Sequence, residues 1–173
     1  KITDVTCYPV WGGFRNYLFV VVDTDEGLYG VGESGLTGRE LAVMGAVEHF
    51  KPLLIGQDAS RIEHLWQLLS RGGFFPHGPI LGSAIAAIDI ALYDLRGKAL
   101  GVPAYALLGG KYRDSVKLIT GVGLNDTETR VREACEAVAK GYDTIKLKIS
   151  GNPDLDVEQV GAVRAAVGPD IHI

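Results

Sequence analysis

The sequence predicts an α+β domain followed by parallel β/α units, and three observations carry that reading. Short strand-like segments near the start are separated by turn residues, the pattern of an antiparallel meander. Helical stripes then dominate through Leu100. Beyond a glycine-rich break, strands alternate with amphipathic helices, which implies βαβ units with right-handed crossovers. The change of architecture falls between Leu107 and Asp114, so residues 1–110 are taken as one domain and 111–173 as the incomplete start of another.

In order along the chain, Ile2 to Val10 and Tyr17 to Val22 read as strands. Asp23-Thr24-Asp25-Glu26-Gly27 is a hairpin loop, and Leu28 to Gly32 returns as a third strand. Thr37-Gly38-Arg39-Glu40 has the spacing of a capping box ahead of a helix through Phe50. A second helix is expected over Arg61 to Leu69, and Arg71 to Pro79 has loop composition. The strongest helix runs from Ser83 to Leu100, with Ile85, Ile88, Leu92 and Leu95 in one stripe and Asp94 spaced to pair with Lys98.

The second part opens with Val116 to Thr120 as a short strand. Asn125 and Asp126 are cap residues for a helix over Thr127 to Lys140, which Gly141 stops. After Thr144–Ile149, the turn Ser150-Gly151-Asn152-Pro153 leads into a helix from Asp154 to Val167, and Asp170 to Ile173 begins a further strand.

The strand Thr144-Ile145-Lys146-Leu147-Lys148-Ile149 is the most informative segment. Ile145, Leu147 and Ile149 alternate with two lysines, so Lys146 and Lys148 share one face. Parallel strands are normally covered on both faces, which would turn the lysines inward. An ammonium there is costly unless something uses it. The alternative is an amphipathic strand with both amines in solvent. Residue pattern alone leaves the two open.

Composition sets the outer limits. The chain has 173 residues, is 47% hydrophobic and carries a formal charge of −4. That is enough apolar material for a sizeable core. The absence of a basic stripe argues against nucleic acid, and no apolar run is long enough to span a membrane. Cys7 and Cys135 have no paired spacing and read as reduced packing residues of a cytoplasmic protein. The chain opens without Met and closes inside a strand, so a truncated chain is expected.

Two motifs are decoys. Gly30-Val31-Gly32-Glu33-Ser34-Gly35 spells a dinucleotide fingerprint, yet its strand returns from a hairpin and lacks the βαβ unit the fingerprint needs. Gly110-Lys111 is followed by Tyr112 where a phosphate loop needs Ser or Thr.

The order of meander, Leu-Tyr-Gly-Val-Gly-Glu (28–33), Ala-Ile-Asp-Ile-Ala-Leu-Tyr-Asp-Leu-Arg-Gly-Lys-Ala-Leu-Gly-Val-Pro (87–103), Leu-Leu-Gly-Gly (107–110) and Lys-x-Lys resembles the enolase superfamily, within it the mandelate racemase/muconate lactonizing enzyme group. The resemblance implies an N-terminal capping domain and a modified (β/α)7β, TIM-like barrel. It also implies Mg²⁺ held by acidic residues on later strands, so none of the metal ligands is expected within these residues. A full barrel needs roughly 250 residues.

By the same resemblance, Lys148 matches the acid/base that moves the proton α to a carboxylate, and Lys146 its charge-neutralising neighbour. In the capping domain, Arg15 and Phe14, in Trp11-Gly12-Gly13-Phe14-Arg15-Asn16, are candidate substrate-binding residues; an exposed surface turn is the alternative. The loops look most like galactonate-dehydratase-type members, which implies a lyase acting on a sugar acid. Racemisation, epimerisation or cycloisomerisation with the same lysines is the runner-up, and a non-catalytic fragment the third reading. The expected partner is a small carboxylate, and a homo-oligomer is expected.

Overall fold

The computed structural model describes residues 1–173, which form two compact units, Lys1–Tyr112 and Arg113–Ile173. In the first, β1 (Ile2–Trp11), β2 (Asn16–Thr24) and β3 (Tyr29–Ser34) make an antiparallel sheet in the order β1-β2-β3. Alternation along β2 buries Leu18, Val20 and Val22. Helices α1 (Glu40–Leu54), α2 (Ile62–Arg71) and α3 (Pro79–Leu100) cover that face. Val5, Val20, Val47, Leu65, Ile88 and Leu92 lie at the centre of this core. Burying each such side chain contributes about 1.5–3 kcal/mol.

The closest approach in this unit is between β3 and α3. A Cβ on Gly30 would lie 1.9 Å from the Ala91 carbonyl oxygen, and one on Gly32 1.9 Å from that of Ala87. Backbone meets backbone here, so only glycine fits. The glycine pattern that mimics a dinucleotide fingerprint is therefore a packing surface. Side chains then lock the edge strand to the helix. The Val31 N–H donates to Asp94 Oδ2 at 2.9 Å, and Lys98 Nζ donates to Asp94 at 2.6 Å and to the Tyr29 carbonyl at 2.9 Å. Ser34 and Ser83 hydroxyls meet at 2.8 Å. The outer edge of the sheet is thus partly satisfied.

Several expected boundaries move. The capping box does not form: the first helix starts at Glu40 with Arg39 as N-cap, and it runs through Pro52 to Leu54. Gly38, at φ +79°, holds Thr37 out of the capping position, while the Glu40 carboxylate still reaches back to the Gly38 N–H at 2.8 Å. The strong helix begins at Pro79, four residues earlier than expected, because proline suits the first turn. A four-residue helix, α4 (Ala104–Leu107), follows.

The second unit contains β4 (Thr120–Val122), α5 (Thr127–Ala139), β5 (Ile145–Leu147) and α6 (Pro153–Val167). The strands pair in parallel, Thr120 with Ile145, Gly121 with Lys146 and Val122 with Leu147. The expected strand over Val116 to Thr120 is displaced to Thr120–Val122. Val122 is buried against Ala134, Ala137, Ile145 and Val163, whereas Val116, Leu118 and Ile119 are exposed. Burial decides the pairing over intrinsic preference. The last expected strand is reduced to one parallel bridge between Thr144 and His172. Cys7 packs beside the first core, but Cys135 is exposed, because Ala134 and Ala137 take the inward face of α5.

Two predictions follow from these contacts. Gly32→Ala should destabilise the chain by about 3 kcal/mol in urea denaturation, because the added methyl meets backbone and cannot be relieved by a rotamer change. Asp126, the N-cap of α5, accepts the Thr129 N–H at 2.8 Å, and that bond holds its carboxyl below the usual carboxylate range. A depressed folded-state pKa contributes stability above the unfolded value, about 3.9, that is lost as pH falls through the folded one. Asp126→Ala should therefore lower the urea midpoint near neutral pH, and the gap to the parent should close below about pH 4.

Candidate active site

The parallel ladder places the two lysines. Ile145 is buried and Leu147 half-buried against α5 and α6, so Lys146, between them, takes the opposite face of β5, and Lys148 follows directly beyond the strand's end. The ladder continues one step beyond the strand, where the Lys148 N–H donates to the Val122 carbonyl at 3.4 Å. Both lysines are exposed, unlike the inward placement expected for a strand covered on both faces. Helices cover only the Ile145 face within this unit. Ile149 is 66% exposed, and the expectation that it packs on helices fails because regular strand geometry ends at Leu147. Gly121 lies opposite Lys146 in register and leaves open space where a side chain would stand.

The loops after β4 and β5 emerge from the same end of the parallel pair, the end where α/β proteins place their chemistry. Each loop is held by a polar contact with the helices. The Asn125 carbonyl accepts from Arg130 Nε at 3.1 Å and from Gln159 Nε2 at 3.2 Å, and both side chains are buried. Asp156, on α6, accepts from Ser150 N at 2.7 Å, Ser150 Oγ at 2.9 Å and Gly151 N at 3.0 Å. These bonds, first the one from the Ser150 N–H, hold the Asp156 carboxyl below its ordinary range, with a further contribution from the Arg130 guanidinium. Of these, Arg130, Asp156 and Gln159 did not stand out in the sequence, whereas Asn125 reads there as a cap and Ser150-Gly151 as a turn. An acid in the first turns of a helix is commonplace, and a buried Arg has no pattern of its own.

In the first unit, Phe14 and Arg15 sit at the tip of the β1–β2 hairpin, which closes with a Gly12 N–H bond to the Arg15 carbonyl at 2.9 Å. Gly13 supplies the positive φ of +91° the tip requires. The Arg15 guanidinium carbon lies 4.5 Å from the Tyr17 ring centroid and 5.5 Å from that of Phe14, which is 74% exposed. This cation–π stacking orients the guanidinium and leaves it in solvent.

The metal set is different. No three His, Cys, Asp or Glu side chains come together in a cluster that could hold a cation. No helix is long and apolar enough to cross a membrane.

Comparison with known proteins agrees with this architecture. Residues 13–109 match the family model "Mandelate racemase / muconate lactonizing enzyme, N-terminal domain", and residues 129–173 match "Enolase C-terminal domain-like". The chain belongs to the mandelate racemase/muconate lactonizing enzyme family of the enolase superfamily. It is 42% identical to the D-galactonate dehydratase of Pectobacterium atrosepticum over 99% of its own length and 47% of the relative's. A D-mannonate dehydratase from a Sphingomonas species is 44% identical over 86% of the chain and 37% of that relative. A solved enolase from Pantoea ananatis with bound D-gluconate and Mg superposes with a TM-score of 0.87 at 28% identity, covering 98% of this chain and 51% of that one. The chain spans about half the length, or less, of the proteins it matches. The N-terminal strand-rich unit and the parallel start of the barrel are the expected fold.

Proposed function

We propose that the intact protein abstracts the proton α to the carboxylate of a sugar acid and eliminates water from the resulting enolate. The observation that carries this reading is Lys146 on the open face of β5 with Lys148 two residues on, just past the strand's end, at the loop end of a parallel strand pair. A carbon acid beside a carboxylate is weak, so its enolate needs preorganised positive charge. The chemistry divides between the two amines: one accepts the proton and the other offsets negative charge.

Lys148 is assigned the base, taking the C2 proton. Lys146 stays charged and offsets the carboxylate and the developing enolate. The electron pair released at C2 expels the C3 hydroxide, which takes up the proton that Lys148 removed and leaves as water. The enol product then tautomerises to a 2-keto-3-deoxy acid. The dehydratase relatives support the elimination, and the gluconate-bound neighbour supports a polyhydroxylated acid. That neighbour also supports Mg²⁺ as cofactor. Arg15, held over Tyr17 with its donors free, is assigned to grip a substrate carboxylate or hydroxyls, and Phe14 to exclude water beside it. The partner in this reading is a small molecule.

The test uses the intact protein with Mg²⁺ and a library of aldonic and aldaric acids, scoring 2-keto-3-deoxy products with semicarbazide. Lys148→Ala should abolish exchange of the substrate α-proton with solvent deuterium, read by NMR; full exchange in the variant would remove Lys148 as base. Racemisation or cycloisomerisation of a carboxylate, with no acid sugar dehydrated, would move the protein to the runner-up chemistry. Arg15→Ala should lower kcat/KM by about tenfold while leaving the thermal midpoint unchanged, the signature of lost substrate grip. An unchanged kcat/KM would return Arg15 to the surface-turn reading.

A further inference from the structure

We propose that Asp156 is a positioning residue for Lys148, an inference that rests on the assignment of Lys148 as base. The turn that follows Lys148 is held by polar contacts, of which those to Asp156 are the shortest. Beyond them, the Asn152 N–H donates to Ser150 Oγ at 3.1 Å and the Asn152 side chain caps α6. Ile149 is 66% exposed, so side-chain packing does not fix the backbone between the lysine and Ser150. On the strand side, Lys148 is tied only through its N–H to the Val122 carbonyl, at a long 3.4 Å. Asp156 supplies what is missing. One carboxylate gathers two successive backbone N–H groups and a hydroxyl, from Ser150 and Gly151, at 2.7–3.0 Å. Charge-assisted bonds of this kind are shorter and stronger than neutral ones. Gly151, at φ +89°, allows the chain to turn so that both amides face the same carboxylate.

The network extends to the neighbouring loop. Arg130 is 1% exposed and Gln159 3%, and both donate to the Asn125 carbonyl after β4. Arg130 Nη1 and Gln159 Oε1 have no hydrogen-bond partner. The two buried side chains thus fix the loop after β4 from inside the unit, as Asp156 fixes the turn after Lys148. The role of Asp156 is to hold the turn beyond the lysine. A displacement of the base by a fraction of an ångström would change proton transfer far more than substrate binding.

The experiment compares Asp156→Ala, Asp156→Asn and Val163→Ala in the intact protein. Val163 lies on the same helix, wholly buried and away from the turn, and serves as the control for lost stability. Asp156→Ala should lower kcat by about 10–100-fold with KM changed less than about threefold. Amide hydrogen exchange at Ser150 and Gly151 should become about tenfold faster. Asp156→Asn, which keeps an acceptor, should recover part of both. Val163→Ala should lower the thermal midpoint yet leave kcat and those two amides close to the parent. Parent-like kcat in Asp156→Ala, or an equal loss of kcat in Val163→Ala, would overturn the proposal. If the parent protein dehydrates no acid sugar, the proposed function falls, and the amide exchange decides the positioning: faster exchange in Asp156→Ala sustains it, and unchanged exchange overturns it.

Discussion

The pairing of Thr120, Gly121 and Val122 with Ile145, Lys146 and Leu147 fixes which face each side chain takes, and the second unit is arranged around that register. A slip of one residue would drive the lysines into α5 and α6 and turn Ile145 to solvent. The cost of burying two amines where Ile145 and Leu147 now pack makes such a slip prohibitive. Thus the apolar face that stabilises the βαβ unit also aims the lysines away from it. Stability and the proposed chemistry thus share one short segment, Ile145 to Lys148.

A related economy operates in the first unit. Gly30 and Gly32 let α3 approach β3 backbone to backbone, and Asp94 and Lys98 then satisfy edge groups of that strand. The hairpin carrying Arg15 grows from the other end of the same sheet system, at the β1–β2 turn. Its tip is shaped by Gly13 and by stacking over Tyr17, so the loop has a defined form without a core of its own.

Much of this was legible in the sequence. The meander, the stripe of Ile85, Ile88, Leu92 and Leu95, the Asp126 cap and the alternation around Lys146 are local patterns, and local patterns survive folding. Most of the differences originate in tertiary context, and one in local backbone geometry. Whether Val116–Thr120 or Thr120–Val122 formed the strand depended on which apolar residue reached Ile145 and Val163, which spacing does not encode. The Thr37 box was undone by the positive φ of Gly38. The lysine face was identified by period two, but its exposure depends on what covers the strand. Asp156, Arg130 and Gln159 were invisible because their significance lies in contacts between a helix and two loops separated in sequence.

The central claim is that one strand presents two amines to one substrate. Its most direct test is a crystal structure of the intact protein with Mg²⁺ and an unreactive hydroxamate analogue of a sugar acid. The account predicts Lys148 Nζ about 3 Å from the atom standing in for C2 or its enolate oxygen, with Lys146 Nζ on the carboxylate-like end. A ligand bound with both amines directed away from it, into bulk solvent, would contradict the account.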